Sequence, residues 1–156
     1  MNAPLPPCDT VSVIGLPVSV TNYDGAIAHI KAMAYQADRA YAVEAANTHV
    51  AALARHDASF GEAMAKFDLI CPDGMPLVWS VNQQLPEAER LTDRVYGPTL
   101  MLKTIEATQD EPGLKHFLFG GKESTLEKIA DSICKRLPKH LDCRSLFSTL
   151  WRMARR

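Results

Sequence analysis

Ala46 to Trp79 reads ANTHVAALARHDASFGEAMAKFDLICPDGMPLVW, and Glu89 to Gly97 reads ERLTDRVYG. Two short polar clusters stand out, Asn47-Thr48-His49 and Pro72-Asp73-Gly74. Each follows an apolar run and precedes a helix-like stretch. In an open α/β sheet, such strand-to-helix junctions gather in the crevice at the carboxyl ends of the strands, where ligands bind. The segment therefore reads as a site built on an α/β frame.

The flanking sequence extends the same alternation. Val11 to Val20, VSVIGLPVSV, is rich in β-branched residues around Gly15 and Pro17, and reads as two short strands joined by a turn. Thr21 to Asp24 supplies N-cap chemistry for a helix with Ile27, Ile30, Met33 and Ala34 on one face. Ala40 to Ala46 reads as a buried strand. Thr48 is placed to cap the next helix, whose apolar face is Val50, Leu53 and Ala54. Asp57 restarts a helix through Lys66. Phe67 to Cys71 is a strand, Met75 to Gln84 a helix and Leu85 to Asp93 a polar loop. Pro98 sits in the first turn of a helix that runs through Thr108. Lys115 to Phe119 reads as a strand, with Gly120-Gly121-Lys122 as its exit turn. Glu123 to Leu137 is a periodic helix with Leu126, Ile129, Ile133 and Leu137 inward. The pattern predicts an α/β fold with an open, mainly parallel sheet and helices on both faces, Rossmann-like in outline.

The chain has 156 residues, 47% hydrophobic and 22% charged, with a net charge of −1. That length suits one domain able to bury roughly 70% of its unfolded surface. The charge balance argues against a nucleic-acid partner, which would call for a basic excess. No apolar run approaches the roughly 20 residues of a membrane helix, and MNAPLPPCDT has neither region of a secretory signal. Residues 1–9, with three of the ten prolines, read as a loose leader. The four cysteines, Cys8, Cys71, Cys134 and Cys143, form no C-x-x-C pair and read as reduced thiols.

Few residues at the junctions can carry acid–base or anion chemistry. Asp73, on a turn beside Gly74, suits a general base taking a proton from a hydroxyl; an N-cap aspartate is the other reading. Asn47 suits a hydrogen bond to a sugar hydroxyl or carbonyl, or else a cap. Arg94 has the planar fork that meets a diphosphate, unless it is a solvated loop charge. Gly120 and Gly121 form a glycine turn feeding a helix, where backbone N–H groups can approach a phosphate. The turn is not G-x-G-x-x-G, so a dinucleotide fingerprint is lacking. No Asp-x-Asp occurs, and the five histidines show no metal spacing, so no metal or other cofactor is expected.

Together, ANTHVAAL, DLICPDGMPLVW, DRVYGPTLM and FLFGGKE, in this order and spacing, closely resemble the WecG/TagA/CpsF glycosyltransferases over roughly residues 10–137. The resemblance implies a bacterial inverting enzyme. Such enzymes move a sugar from a UDP-linked donor to a lipid-diphosphate-linked acceptor, without a metal, at the inner face of the cytoplasmic membrane. The products are teichoic-acid linkage units, enterobacterial common antigen or exopolysaccharide. It implies Asp73 as general base, with Asn47 and Arg94 as the other catalytic positions and Thr48, Gly74, Gly120 and Gly121 lining the substrate site. Where members often carry a threonine, this chain has Ala45.

Members continue with a strand, a Gly-x-Tyr/Phe-Ser-Pro-Pro-Phe motif and a second half that this sequence lacks. Codons for Leu141 to Trp151, read one base later, can spell Ser-Thr-Val-Gly-Arg-Phe-Ser-Pro-Pro-Phe-Gly. The expectation is an amino-terminal part of a glycosyltransferase domain over residues 10–140, then an aberrant or disordered basic tail over 141–156. The rival reading of LFSTLWRMARR is a cationic membrane-surface helix. A non-catalytic sugar- or nucleotide-binding remnant is the rival function, and apolar faces left uncovered would open a route to homo-oligomers.

Overall fold

The computed structural model describes residues 5–36, 38–111 and 113–136. The expected tail at 141–156 and the inward position of Leu137 lie outside them. The chain divides into two compact units, Met1–Lys103 and Thr104–Arg156.

The first unit begins with strands β1 (Thr10–Val13) and β2 (Leu16–Ser19), paired antiparallel with Val13 opposite Leu16. The two residues between them, Ile14 and Gly15, have φ of 49° and 98°. Positive φ at both central positions is the geometry of a type I′ hairpin turn, whose twist matches that of the strands. Helix α1 (Tyr23–Gln36) follows, its start capped by Asn22, whose Oδ1 accepts from Gly25 N–H at 2.9 Å. The buried face is Ala26, His29 and Met33, with Ile27 and Ile30 half-buried and Ala34 exposed.

Strand β3 (Val43–Ala46) leads into α2 (Thr48–His56) and α3 (Ala58–Met64), and strand β4 (Leu69–Pro72) into α4 (Met75–Asn82). Strands β3 and β4 pair in parallel, with Ala45 opposite Cys71 and Ala46 opposite Pro72. All four residues of β4 are buried, as the continuous apolar run of a covered strand requires. Its alternation divides the core. Ile70 joins Leu16, Val18, Ala46, Ala51, Met64, Leu77 and Val81, whereas Leu69 and Cys71 join Ala26, Met33, Val95 and Leu100. Each fully buried aliphatic chain of this kind contributes about 1.5–3 kcal/mol.

The fold is α/β, as expected, but the sheet is smaller. Among the described residues there are two two-stranded sheets, and only β3–β4 is parallel. Strand β2 lies against β4 without a ladder, because Ser19 Oγ takes the Ile70 N–H at 3.1 Å in place of a backbone carbonyl. Residues 5–9 carry no regular structure, yet Leu5 and Cys8 pack against the core and the Pro6 carbonyl bonds His29 Nε2 at 2.7 Å.

After α4, a 3-10 turn at Glu87–Glu89 tops a loop that is clasped at its neck. Asn82 Nδ2 donates to the Leu91 carbonyl and Leu91 N–H donates to Asn82 Oδ1, both at 2.8 Å. Helix α5 spans Gly97–Thr108.

The second unit holds the end of α5 and helix α6 (Glu123–Arg136), which buries Ile133 and half-buries Leu126 and Ile129. The strand expected at 115–119 is absent; only His116 forms a bridge. His116 Nε2 lies 2.8 Å from Thr108 Oγ1 at the end of α5. Cys8 and Cys71 are free thiols, whereas Cys134 is disulfide-bonded, which departs from four reduced thiols.

Candidate active site

The parallel pair delivers the two polar clusters side by side. Ala46 and Pro72 are opposite one another, and Asp73 N–H continues the ladder to the Ala46 carbonyl at 2.8 Å. Asn47 and Asp73 therefore leave adjacent strands at the same edge.

Their side chains have different fates. Asn47 caps α2: its Oδ1 accepts from His49 N–H at 3.0 Å and Val50 N–H at 3.1 Å. Thr48, expected as the cap, is instead the first helical residue and exposed. Strand β3 ends one residue earlier than a Thr48 cap requires, so the asparagine takes the role. The Asn47 oxygen is committed, while its amide NH₂ remains a donor. Asp73 is not a cap. Gly74 occupies the cap position of α4, with no side-chain cap bond and a proline in the first turn. The Asp73 carboxylate accepts no hydrogen bond from any described residue and is half-buried.

A third segment closes on this edge. Val95, fully buried, donates its N–H to the Pro72 carbonyl at 2.8 Å. Asp73 and Arg94 are thus the chain neighbours of the two residues joined by that bond. Two residues on, α5 begins at Gly97, where an added Cβ would lie 3.0 Å from Ala45 Cβ and 3.7 Å from Asp73 Oδ2. The ends of β3 and β4 and the start of α5 meet within van der Waals reach around one unspent carboxylate. The Arg94 guanidinium lies 4.7 Å from the centroid of the exposed Tyr96 ring, a cation–π stack, and its N–H fork meets no acceptor among the described residues.

Beneath the site, burial pushes the Cys71 thiol up to about 12, with Cys8, Asp73 and Glu44 adding to the rise. A cavity of about 390 Å³ opens nearby in the same unit, between Pro7, Cys8, the start of α1 and residues 88–92. His29 walls it, with Nδ1 3.1 Å from the Gly25 carbonyl and Nε2 against Pro6.

Gly120 and Gly121 belong to the second unit. Both have positive φ, 105° and 68°, and open space where a Cβ would stand. Backbone conformation, not close approach, demands glycine there. Among the described residues, no three His, Cys, Asp or Glu side chains gather as a metal site, and no helix is long and apolar enough to cross a membrane.

The model of the WecG/TagA/CpsF family of glycosyl transferases matches residues 11–145. The chain belongs to that family. The match spans most of the sequence, including both strand-to-helix junctions, the Arg94–Gly97 segment and the glycine turn at 120–121. The chain matches no individual curated protein. Family membership supports a glycosyltransferase role in polysaccharide biosynthesis, with a sugar donor and a glycan acceptor.

Sequence reasoning missed Tyr23, Tyr96 and Gly97 as parts of the site. Gly97 was legible as a helix start beside an arginine. Tyr96 lies within the quoted DRVYGPTLM stretch, whereas Tyr23 gave no signal, because its link to Tyr96 is a bond between residues 73 apart in the chain.

Proposed function

We propose that this protein performs inverting transfer of a sugar from a UDP-linked donor to a lipid-diphosphate-linked acceptor in cell-surface polysaccharide synthesis. The donor sugar is N-acetylmannosamine, N-acetylmannosaminuronate or a hexose. One observation carries the reading: Asp73 stands at the carboxyl end of the parallel pair with a carboxylate that caps no helix and pairs with none of the described residues. In this scheme Asp73 takes the proton of the acceptor hydroxyl as its oxygen attacks the anomeric carbon, and UDP leaves from the opposite face. Arg94 faces the departing diphosphate with its planar N–H fork. The Asn47 amide donates to a hydroxyl of the sugar, beside Thr48 and Gly74. Gly120 and Gly121 offer backbone N–H groups to the donor phosphates.

The same proposal includes an open, mainly parallel Rossmann-like sheet as the wider fold. It also includes catalysis without a metal, supported by the lack of any Asp-x-Asp, and a peripheral place at the inner membrane face. The test is transfer of radiolabelled sugar from UDP-sugars to a short-chain lipid-diphosphate acceptor, with and without EDTA, for the unaltered chain and Asp73→Asn. Donor binding with no turnover in the unaltered chain would favour a binding remnant instead. Transfer abolished by EDTA and restored by magnesium would overturn the metal-free scheme.

A further inference from the structure

We propose that Tyr23 is a positioning residue of the site: its hydroxyl holds the Arg94–Gly97 segment against Asp73 and so fixes the direction of Arg94. The inference rests on the function proposed above and names a residue outside the family motifs quoted for it.

Tyr23 is the first residue of α1, in a different part of the sequence from every candidate site residue. Its hydroxyl oxygen accepts the Tyr96 N–H at 3.0 Å. Tyr96 lies at the start of α5, where its carbonyl accepts from Leu100 N–H at 2.8 Å, so its own N–H points away from the helix and has no intrahelical partner. Without Tyr23 that donor would be left to solvent. The Tyr23 ring packs against the cluster of Val95 and Leu100, and Lys103 Nζ lies 5.5 Å from its centroid. One side chain thus touches the start of α5 and its second turn. The segment it holds is short and doubly anchored: Val95 N–H to Pro72 on one side, Tyr96 N–H to Tyr23 on the other. Arg94 is the residue before this anchored pair, and its guanidinium rests on the Tyr96 ring. Misplacing a binding group by about 1 Å can cost 10²-fold in rate, which is the scale on which such an anchor acts.

The test is Tyr23→Phe, which keeps the ring and its packing and removes only the acceptor. Two readouts are taken on the full chain: amide hydrogen exchange at Tyr96, and binding of UDP by calorimetry, each with and without Arg94→Ala. The expected result is Tyr96 exchange at least about tenfold faster, with UDP binding weakened about three- to tenfold in the Arg94 background and unchanged in Arg94→Ala. Unaltered Tyr96 exchange would overturn the anchor. Faster exchange with undiminished UDP affinity, where Arg94→Ala does reduce it, would overturn the link to Arg94. Equal weakening in both backgrounds would show a merely structural effect. A chain that binds no UDP at all contradicts the functional reading itself, and the exchange arm then decides the anchor alone.

Discussion

Gly97 packs tightly beside Ala45: a Cβ there would stand 3.0 Å from the alanine's own Cβ, so that one of the two would have to give by a few tenths of an ångström. Overpacking of this kind typically costs about 1–3 kcal/mol. Gly97→Ala is therefore expected to lower stability by that amount, measured by urea unfolding. Gly74→Ala is the control. Its Cβ would meet only Pro76 Cδ at an ordinary 3.6 Å, with φ at −127°, so a change within about 0.5 kcal/mol is expected. Equal effects at the two glycines would remove the steric account.

Asp73→Asn tests the base. The expected rate loss is roughly 10²–10⁴-fold with donor affinity nearly unchanged. Because the carboxylate bonds no described residue, the melting temperature is expected to stay where it was. A fully active variant takes Asp73 out of the mechanism.

Asn47→Ala removes the acceptor for His49 and Val50 N–H, and a lost cap costs about 1 kcal/mol. Asn47→Asp keeps the acceptor and is expected to keep the stability while losing the amide donor. Chemical denaturation of the pair, set beside their UDP-sugar affinities, separates the cap from the contact. Affinity intact in Asn47→Asp would limit Asn47 to capping.

Ile14 is a β-branched residue at φ 49°, more than half exposed, a conformation such residues rarely adopt. Asn-Gly is the favoured pair for this turn. Ile14→Asn is expected to stabilise the protein by about 1 kcal/mol, seen as a higher melting temperature. A lower one would show that Ile14 makes contacts that outweigh its backbone strain.

The Cys71 thiol gives an alkaline signature. Its folded value is raised by burial from 9.0 to about 12. Below pH 9 the thiol is protonated in both states and its contribution is complete. As pH rises from about 9 towards 12, the unfolded chain ionises first and stability falls. Between pH 8 and 10 the unaltered chain is expected to lose about 1 kcal/mol more than Cys71→Ala. Parallel slopes in urea titrations at the two pH values would contradict this.

Much of the frame was legible where pattern and packing agree. Phe67 to Cys71 read as a strand from its apolar run, and the structure buries Leu69, Ile70 and Cys71 because both faces are covered. Asp57 read as a helix restart because its carboxylate has two N–H groups to cap, on Ser59 and Phe60. The hairpin was legible from its β-branched flanks, but not its turn geometry, since Ile14 is a poor choice for positive φ. The cap at 47–48 was ambiguous because both side chains can cap, and only the end of β3 decides. Lys115 to Phe119 has strand-forming residues but forms only the bridge at His116 among the described residues, and Phe119 is 91% exposed. Asp73 was legible as a candidate, yet its freedom from capping was not, because that depends on Gly74 taking the position. The Tyr23–Tyr96 bond is set by tertiary structure alone.

The Asn82–Leu91 clasp has a consequence for change over time. Two hydrogen bonds close the neck of the loop, so its tip is fastened from below. Residues 86–90 are exposed and can be lengthened, shortened or recoded without pulling on Arg94, since lengthening a closed loop costs only about 0.6 kcal/mol per doubling. That tip is where natural diversity can accumulate harmlessly, and where a fluorophore or an affinity handle can be grafted while the chemistry below goes on undisturbed.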